Sequence, residues 1–305
     1  MPLVVCGIVA AASPRLVKGW RPAWAARTLA FSALLLSLAA VWGLMLLAGI
    51  LVGQAPAFAR PGDYSRIALG RLDPVPQLAS VAAIIVLVVA VWRIVALLAA
   101  ALKRRRLLLD LLAAGSGRSE LQVILDDRPF AAAVAPRFRR PGRVLVSVGM
   151  LRSLDGAERR ALLAHERAHL RRRHNLYEGI GRLAAAMNPM LAGLLRALRF
   201  ALERWADEDA AASVLDRELV ARAIGKAALA SLTAARPPGA VAAAGLGFER
   251  LGVIERIQAL SLEPTTSRRL PVLAATAVIT LVAVWAALDA TVGFFHLLLW
   301  AGAGR

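Results

Sequence analysis

Apolar residues gather in three long runs near the two ends of the chain, and the middle alternates instead. Thr28 to Phe58 carries no charge, and Leu29–Val52 is apolar apart from Ser32 and Ser37. A helix crosses the ~30 Å hydrocarbon layer with about 20 such residues, so this run predicts a span. Gln77–Leu102 predicts a second, broken by one charge, Arg93. Leu270–Leu288 predicts a third, continuing past Asp289 through Phe294, Phe295 and Trp300. Pro2–Ala12 is apolar but only eleven residues long. It reads as a partial span, or as the tail of one that starts upstream.

Between the runs the periodicity changes. Leu121–Leu125 and Arg143–Val148 are short Val/Ile/Leu-rich stretches bounded by turn residues, and they predict strands, with Phe130–Val134 as a third. From Asp155 the pattern is helical. Asp155 followed by Glu158 forms a capping-box start, and Leu162, Leu163 and Leu170 recur at helical spacing, so a helix is expected over 156–174. Leu183–Leu195 is apolar but holds Asn188-Pro189, where proline interrupts backbone pairing. Two helices are expected to meet there, lying against the membrane or the core, the second running from 189 to 213. Asp216 caps another helix to about 232, Ala235–Gly247 reads as a loop, and Phe248–Leu260 as a last short helix.

Charge orients these elements. The chain holds 38 Lys+Arg against 20 Asp+Glu, a net +18, with 59% hydrophobic residues and a mean hydropathy of +0.62. That hydrophobicity excludes a disordered chain, and a lone cysteine, Cys6, excludes a disulfide scaffold. Arg15, Lys18, Arg21 and Arg27 precede the first long run. Lys103–Arg106 follow the second, and Arg268 and Arg269 precede the third. Basic flanks face the cytoplasm. The expected organisation is therefore a partial span and basic loop over 1–27, spans over 28–53 and 77–102 joined by an external loop at 54–76, a cytoplasmic domain over 103–269, and a C-terminal span over 270–300 of an inner or plasma membrane. Arg93 lies ten residues from Lys103, about 15 Å along a helix, and is read as snorkelling toward the surface. The basic runs Arg137/Arg139/Arg140 and Arg171–Arg173 raise nucleic-acid binding. Orientation and anionic lipid already account for such runs, so no direct nucleic-acid partner is expected.

Three of the four histidines fall within ten residues. On a helix, His165 and His169 of His165-Glu166-Arg167-Ala168-His169 share one face, so both imidazoles can reach one metal ion. Glu166 stands beside them, placed to take a proton from a water on that ion. This is the zincin pattern, and composition alone produces it in roughly two sequences per thousand. A catalytic zinc site takes three protein ligands. His174, on the helix expected over 156–174, lies about 140° round from His169, which suits a supporting role better than coordination. Glu203, in Glu203-Arg204-Trp205-Ala206-Asp207, is the better third ligand. Asp207, one turn further, can hydrogen-bond the outer nitrogen of a ligating histidine and fix its tautomer.

His165–His169, the basic stretch to His174-Asn175, the Asn188-Pro189 break and Glu203-x-x-Ala206-Asp207 together resemble the integral-membrane gluzincins, both the HtpX-like membrane proteases and the BlaR-type β-lactam sensor metallopeptidases. The resemblance implies a mainly α, multi-span membrane protein with a cytoplasmic α+β zincin-like domain. It implies Zn2+ held by His165, His169 and Glu203, Glu166 as the catalytic base, and Asp207 in support. Arg256, in Glu255-Arg256-Ile257-Gln258, resembles a basic position of the HtpX group. The span order fits the BlaR type better, but this sequence ends at Arg305, so a relative without the penicillin-binding sensor domain is expected. The implied function is a zinc endopeptidase acting on a protein substrate, either a transcriptional repressor or damaged membrane proteins. A zinc-binding receptor without catalysis is the alternative, and the presence of Glu166 counts against it.

Overall fold

The computed structural model describes residues 6–7, 20–53, 77–114, 119–135, 141–233, 252–262 and 270–303. The expected external loop at 54–76, the loop at 235–247, Arg137/Arg139/Arg140 and Arg268/Arg269 lie outside these residues, as does most of Pro2–Ala12.

The long apolar runs form three helices: α1 (Pro22–Gly53), α2 (Gln77–Ala114) and α9 (Leu270–Ala303). Each is long and apolar enough to cross a membrane. α2 continues well past the expected end at 102, because Lys103–Leu112 holds no helix breaker. The Ser32 and Thr280 hydroxyls lie 3.2 Å apart, and the Trp42 indole donates to Thr291 at 2.7 Å. Both contacts advance along the two helices together, so α1 and α9 run parallel. On α2, Val81, Ile85, Val88, Trp92, Val95 and Leu98 form an exposed apolar stripe, a surface that calls for lipid.

The middle of the chain folds on one end of these helices. β1 (Leu121–Ile124), β2 (Ala131–Val134) and β3 (Arg143–Ser147) form a sheet in the order β1-β3-β2. β1 runs parallel to β3 and β2 antiparallel to it. Ser147 N–H donates to the Phe130 carbonyl. With the β2–β3 register, alternation then turns the backbone polar groups of Ala132 and Val134 toward β3 and those of Ala131 and Ala133 away from it.

After a short helix α3 (Val148–Arg152), α4 runs over Gly156–Arg171. Its start is the expected capping box: Asp155 accepts from Ala157 and Glu158 N–H, while Glu158 accepts from Asp155 N–H. Its end differs from expectation. Arg173 adopts a left-handed conformation, φ 54°, so the helix stops and the chain turns before α5 (His174–Met187). Asn188 breaks the chain as expected. Its side chain accepts from Met190 N–H at the head of a 3-10 turn over Pro189–Leu191, after which α6 runs over Ala192–Val214. α7 (Arg217–Thr233) follows Asp216, whose carboxylate accepts from Leu219 N–H, and α8 covers Val253–Ser261.

Two cores hold the site helices. α5, the 3-10 turn and α6 bury Ala184, Leu191, Leu194, Leu198, Ala201 and Trp205 against Ala25, Leu29, Ala33 and Leu36 of α1. α4, α6, α7 and α8 share a second core around Ala161, Ala210, Ile224 and Leu260. The loop into β2 is fixed by close approach at Gly149, where an added Cβ would sit 1.9 Å from the Asp127 carbonyl oxygen. Gly149→Ala is therefore expected to displace that loop and to destabilise the domain by roughly 1–3 kcal/mol, the usual cost of overpacking. A thermal melt of the purified variant checks it, and an unshifted midpoint would show that the loop yields freely.

Candidate metal centre

α4 presents His165 and His169 one turn apart, and α6 brings Glu203 across from them. The Nε2 atoms of the two histidines lie 3.1 Å apart. The Glu203 carboxylate stands 3.5 Å from His165 Nε2 and 3.6 Å from His169 Nε2. All three offer a ligand atom within 4.8 Å of one another. A tetrahedral zinc ion at about 2.0–2.1 Å from each donor needs donors about 3.3–3.5 Å apart. The observed separations straddle that value, and two imidazoles with one carboxylate are a suitable donor set, so these residues fit zinc.

The surrounding groups orient the donors. Asp207 Oδ1 lies 2.9 Å from His165 Nδ1, which turns Nε2 toward the centre. His174, brought round by the turn at Arg173, has its Nδ1 2.9 Å from His169 Nδ1. The sequence reading placed His174 on the far side of one continuous helix. The break in α4 puts it in contact with His169 instead. Trp205 packs against His174 with centroids 4.9 Å apart and the rings tilted by 46°, and the Arg27 guanidinium lies 5.0 Å from the Trp205 ring. Arg172 pairs with Asp209 at 2.6 Å and also faces Trp205.

Arg256 completes the arrangement from α8. It is 1% exposed and donates through Nε and Nη2 to both oxygens of Asp207 at 2.7 Å, while Nη1 lies 3.0 Å from Glu203. Sequence reasoning singled out Arg256 only as a basic position and had no means of pairing it with Asp207. Trp205 and Ala133 escaped it altogether, although Trp205 stands within the Glu203 motif.

The electrostatics call for positive charge at the centre. Burial alone would lower the His165 pKa, but Asp207 and Glu203 outweigh it and raise it to about 10. Burial would likewise raise Glu203, yet Arg256 and the two histidines hold it well below the usual carboxylate range. A divalent ion between the three donors would supply positive charge there, as a proton on His165 does. Burial lowers His169 to about 4, and burial together with His169 lowers His174, so both are neutral near pH 7, the form that binds metal. Glu166 is 6% exposed. Burial raises its pKa to about 7, opposed by His165 and by a hydrogen bond from the Ala133 backbone. Ala133 N–H is one of the groups that β2 turns away from the sheet.

Residues 99–237 match the model of Peptidase family M48, a likeness to a metallopeptidase family that covers a little under half of the chain. The match takes in α4, α5 and α6 and leaves out Arg256. No curated protein and no solved structure matches the chain.

Proposed function

We propose, with the likeness to Peptidase family M48 over residues 99–237 as the premise, that this protein is a membrane-bound zinc endopeptidase working at the cytoplasmic face. The observation that carries the reading is the convergence of His165, His169 and Glu203 beside a buried Glu166 carboxylate held by Ala133. Zinc, when bound, makes a water molecule acidic and polarises the scissile carbonyl.

The chain's own residues do the rest. Glu166 Oε accepts the proton lost by the attacking water, and a carboxyl with a pKa near 7 is suited to hold that proton and return it to the leaving amine. Asp207 fixes the His165 tautomer, and His174 does the same for His169. Arg256 keeps Glu203 and Asp207 ionised. β2 is an edge strand, and an extended peptide pairing along it would bring its carbonyls beside Glu166.

The cytoplasmic assignment rests on Arg21, Arg27 and Lys103–Arg106, which stand at the ends of α1 and α2 that carry the domain. For the substrate, the BlaR-type resemblance favours regulated cleavage of a repressor. The packing of α5 and α6 on α1 favours the second reading, HtpX-like cleavage of membrane proteins.

Metal removal tests the core of the proposal. The purified chain is expected to bind one zinc, to cut an unfolded protein, and to lose that activity to a chelator. Glu203→Ala is expected to lose zinc by elemental analysis. Full zinc occupancy in Glu203→Ala would move the third ligand elsewhere, with His174 next in line.

A further inference from the structure

We infer that the Asn188–Pro189 corner is a re-entrant wedge: it enters the lipid leaflet beside α1 and α2 and holds the metal site at the bilayer surface. Arg93, inside the α2 run, does not snorkel freely. Its guanidinium donates to the carbonyls of Ala185 and Ala186 at 3.0 and 3.1 Å, the last turn of α5. That end of α5 therefore sits at the depth of Arg93, about 15 Å from Lys103 along α2. Val95, Leu98 and Leu102 lie between those levels, each more than half exposed. Covering them with lipid puts the corner at lipid depth too.

α1 gives the same depth independently. Cys6 Sγ contacts the Leu36 carbonyl at 3.9 Å, and a Cβ on the adjacent Gly7 would lie 3.6 Å from Met190 Cε. Met190 thus stands level with Leu36, nine residues beyond Arg27, or about 13–14 Å along the helix. The exposed part of the tip is apolar, with Pro189 exposed and Met190 48% exposed, while Asn188 is buried behind it. Its nearest charges along the sequence, Arg182 and Arg196, stand six residues before Asn188 and seven after Pro189, about 9–11 Å along each helix. Arg182 turns back to Glu178, which also receives Arg199, so the ionic groups gather above the tip. At the other end of the hairpin Trp205, two residues from Glu203, packs under Arg27, where the charge-free run of α1 begins. The metal site is thereby level with the lipid–water boundary.

The inference depends on the spans and not on peptidase activity, so either can fail alone. The test uses the full chain carrying Cys6→Ser, in phosphatidylcholine–phosphatidylglycerol vesicles, with one nitroxide label at a time. Sites are Met190→Cys, Val91→Cys on the outer face of α2, Asn175→Cys beside His174, and Leu215→Cys beyond α6. Collision with oxygen and with a water-soluble nickel chelate is measured at each. The Met190 label is expected to follow Val91, several-fold more open to oxygen than to nickel, and the Asn175 label to fall between Val91 and Leu215. Pro189→Cys provides a second tip label if the Met190 variant folds poorly. Tip labels as open to nickel as Leu215 would overturn the wedge. An Asn175 label matching Leu215 would overturn the surface placement.

Discussion

Glu166→Gln is expected to lower peptide hydrolysis by roughly 10²- to 10⁴-fold, the usual contribution of a positioned acid–base group, with zinc content unchanged. The amide keeps the shape of the side chain but cannot accept a proton. It does not touch the three donors, whose atoms already converge without it. Zinc analysis and turnover on one purified sample separate the two effects. New protein N-termini in cells making wild type or Glu166→Gln then identify the substrate. One dependent cut in a soluble DNA-binding protein would favour the repressor reading, and many cuts in membrane proteins the other. Normal turnover by the variant would remove Glu166 from the mechanism.

The second large effect is expected at Asp207. Asp207 and Arg256 are 2% and 1% exposed, and Asp207→Ala leaves a buried guanidinium facing Glu203 alone. Breaking one side of such a pair costs roughly 3–5 kcal/mol. For a domain of this size that is a fall of about 6–20 °C in thermal midpoint. Zinc affinity should fall about 10- to 100-fold as well, because His165 loses the partner that fixes its tautomer. Adding Arg256→Met to Asp207→Ala removes the stranded charge, so the double variant should recover much of the stability but not the zinc affinity. Equal destabilisation in the single and double variants would mean that the pair is not energetically coupled.

What the chain reveals by inspection follows how local each cause is. The capping box at Asp155 and Glu158, the turn at Asn188-Pro189, the three strand segments and the three apolar helices depend on neighbours within a few residues, and all are present. The grouping of His165, His169 and Glu203 was legible because one helical turn joins the histidines and Glu203 is the first carboxylate of the helix that faces them. The end of α4 was not legible. Arg173 is an ordinary helix former, and its left-handed backbone is set by contacts such as Arg172 with Asp209, which no periodicity encodes. The same holds for Arg93, whose partners lie 92 and 93 residues away.

The lateness of Arg256 has a consequence during synthesis. Its contact with Asp207 spans 49 residues, and a ribosome adding about 5–20 residues per second needs roughly 2–10 s to cover that interval. Through those seconds the donors of the metal site exist without the cation that holds Glu203 and Asp207 in place. Under the proposed function, the nascent domain is thus kept unfinished by its own reading order and completed only as α9 is being made.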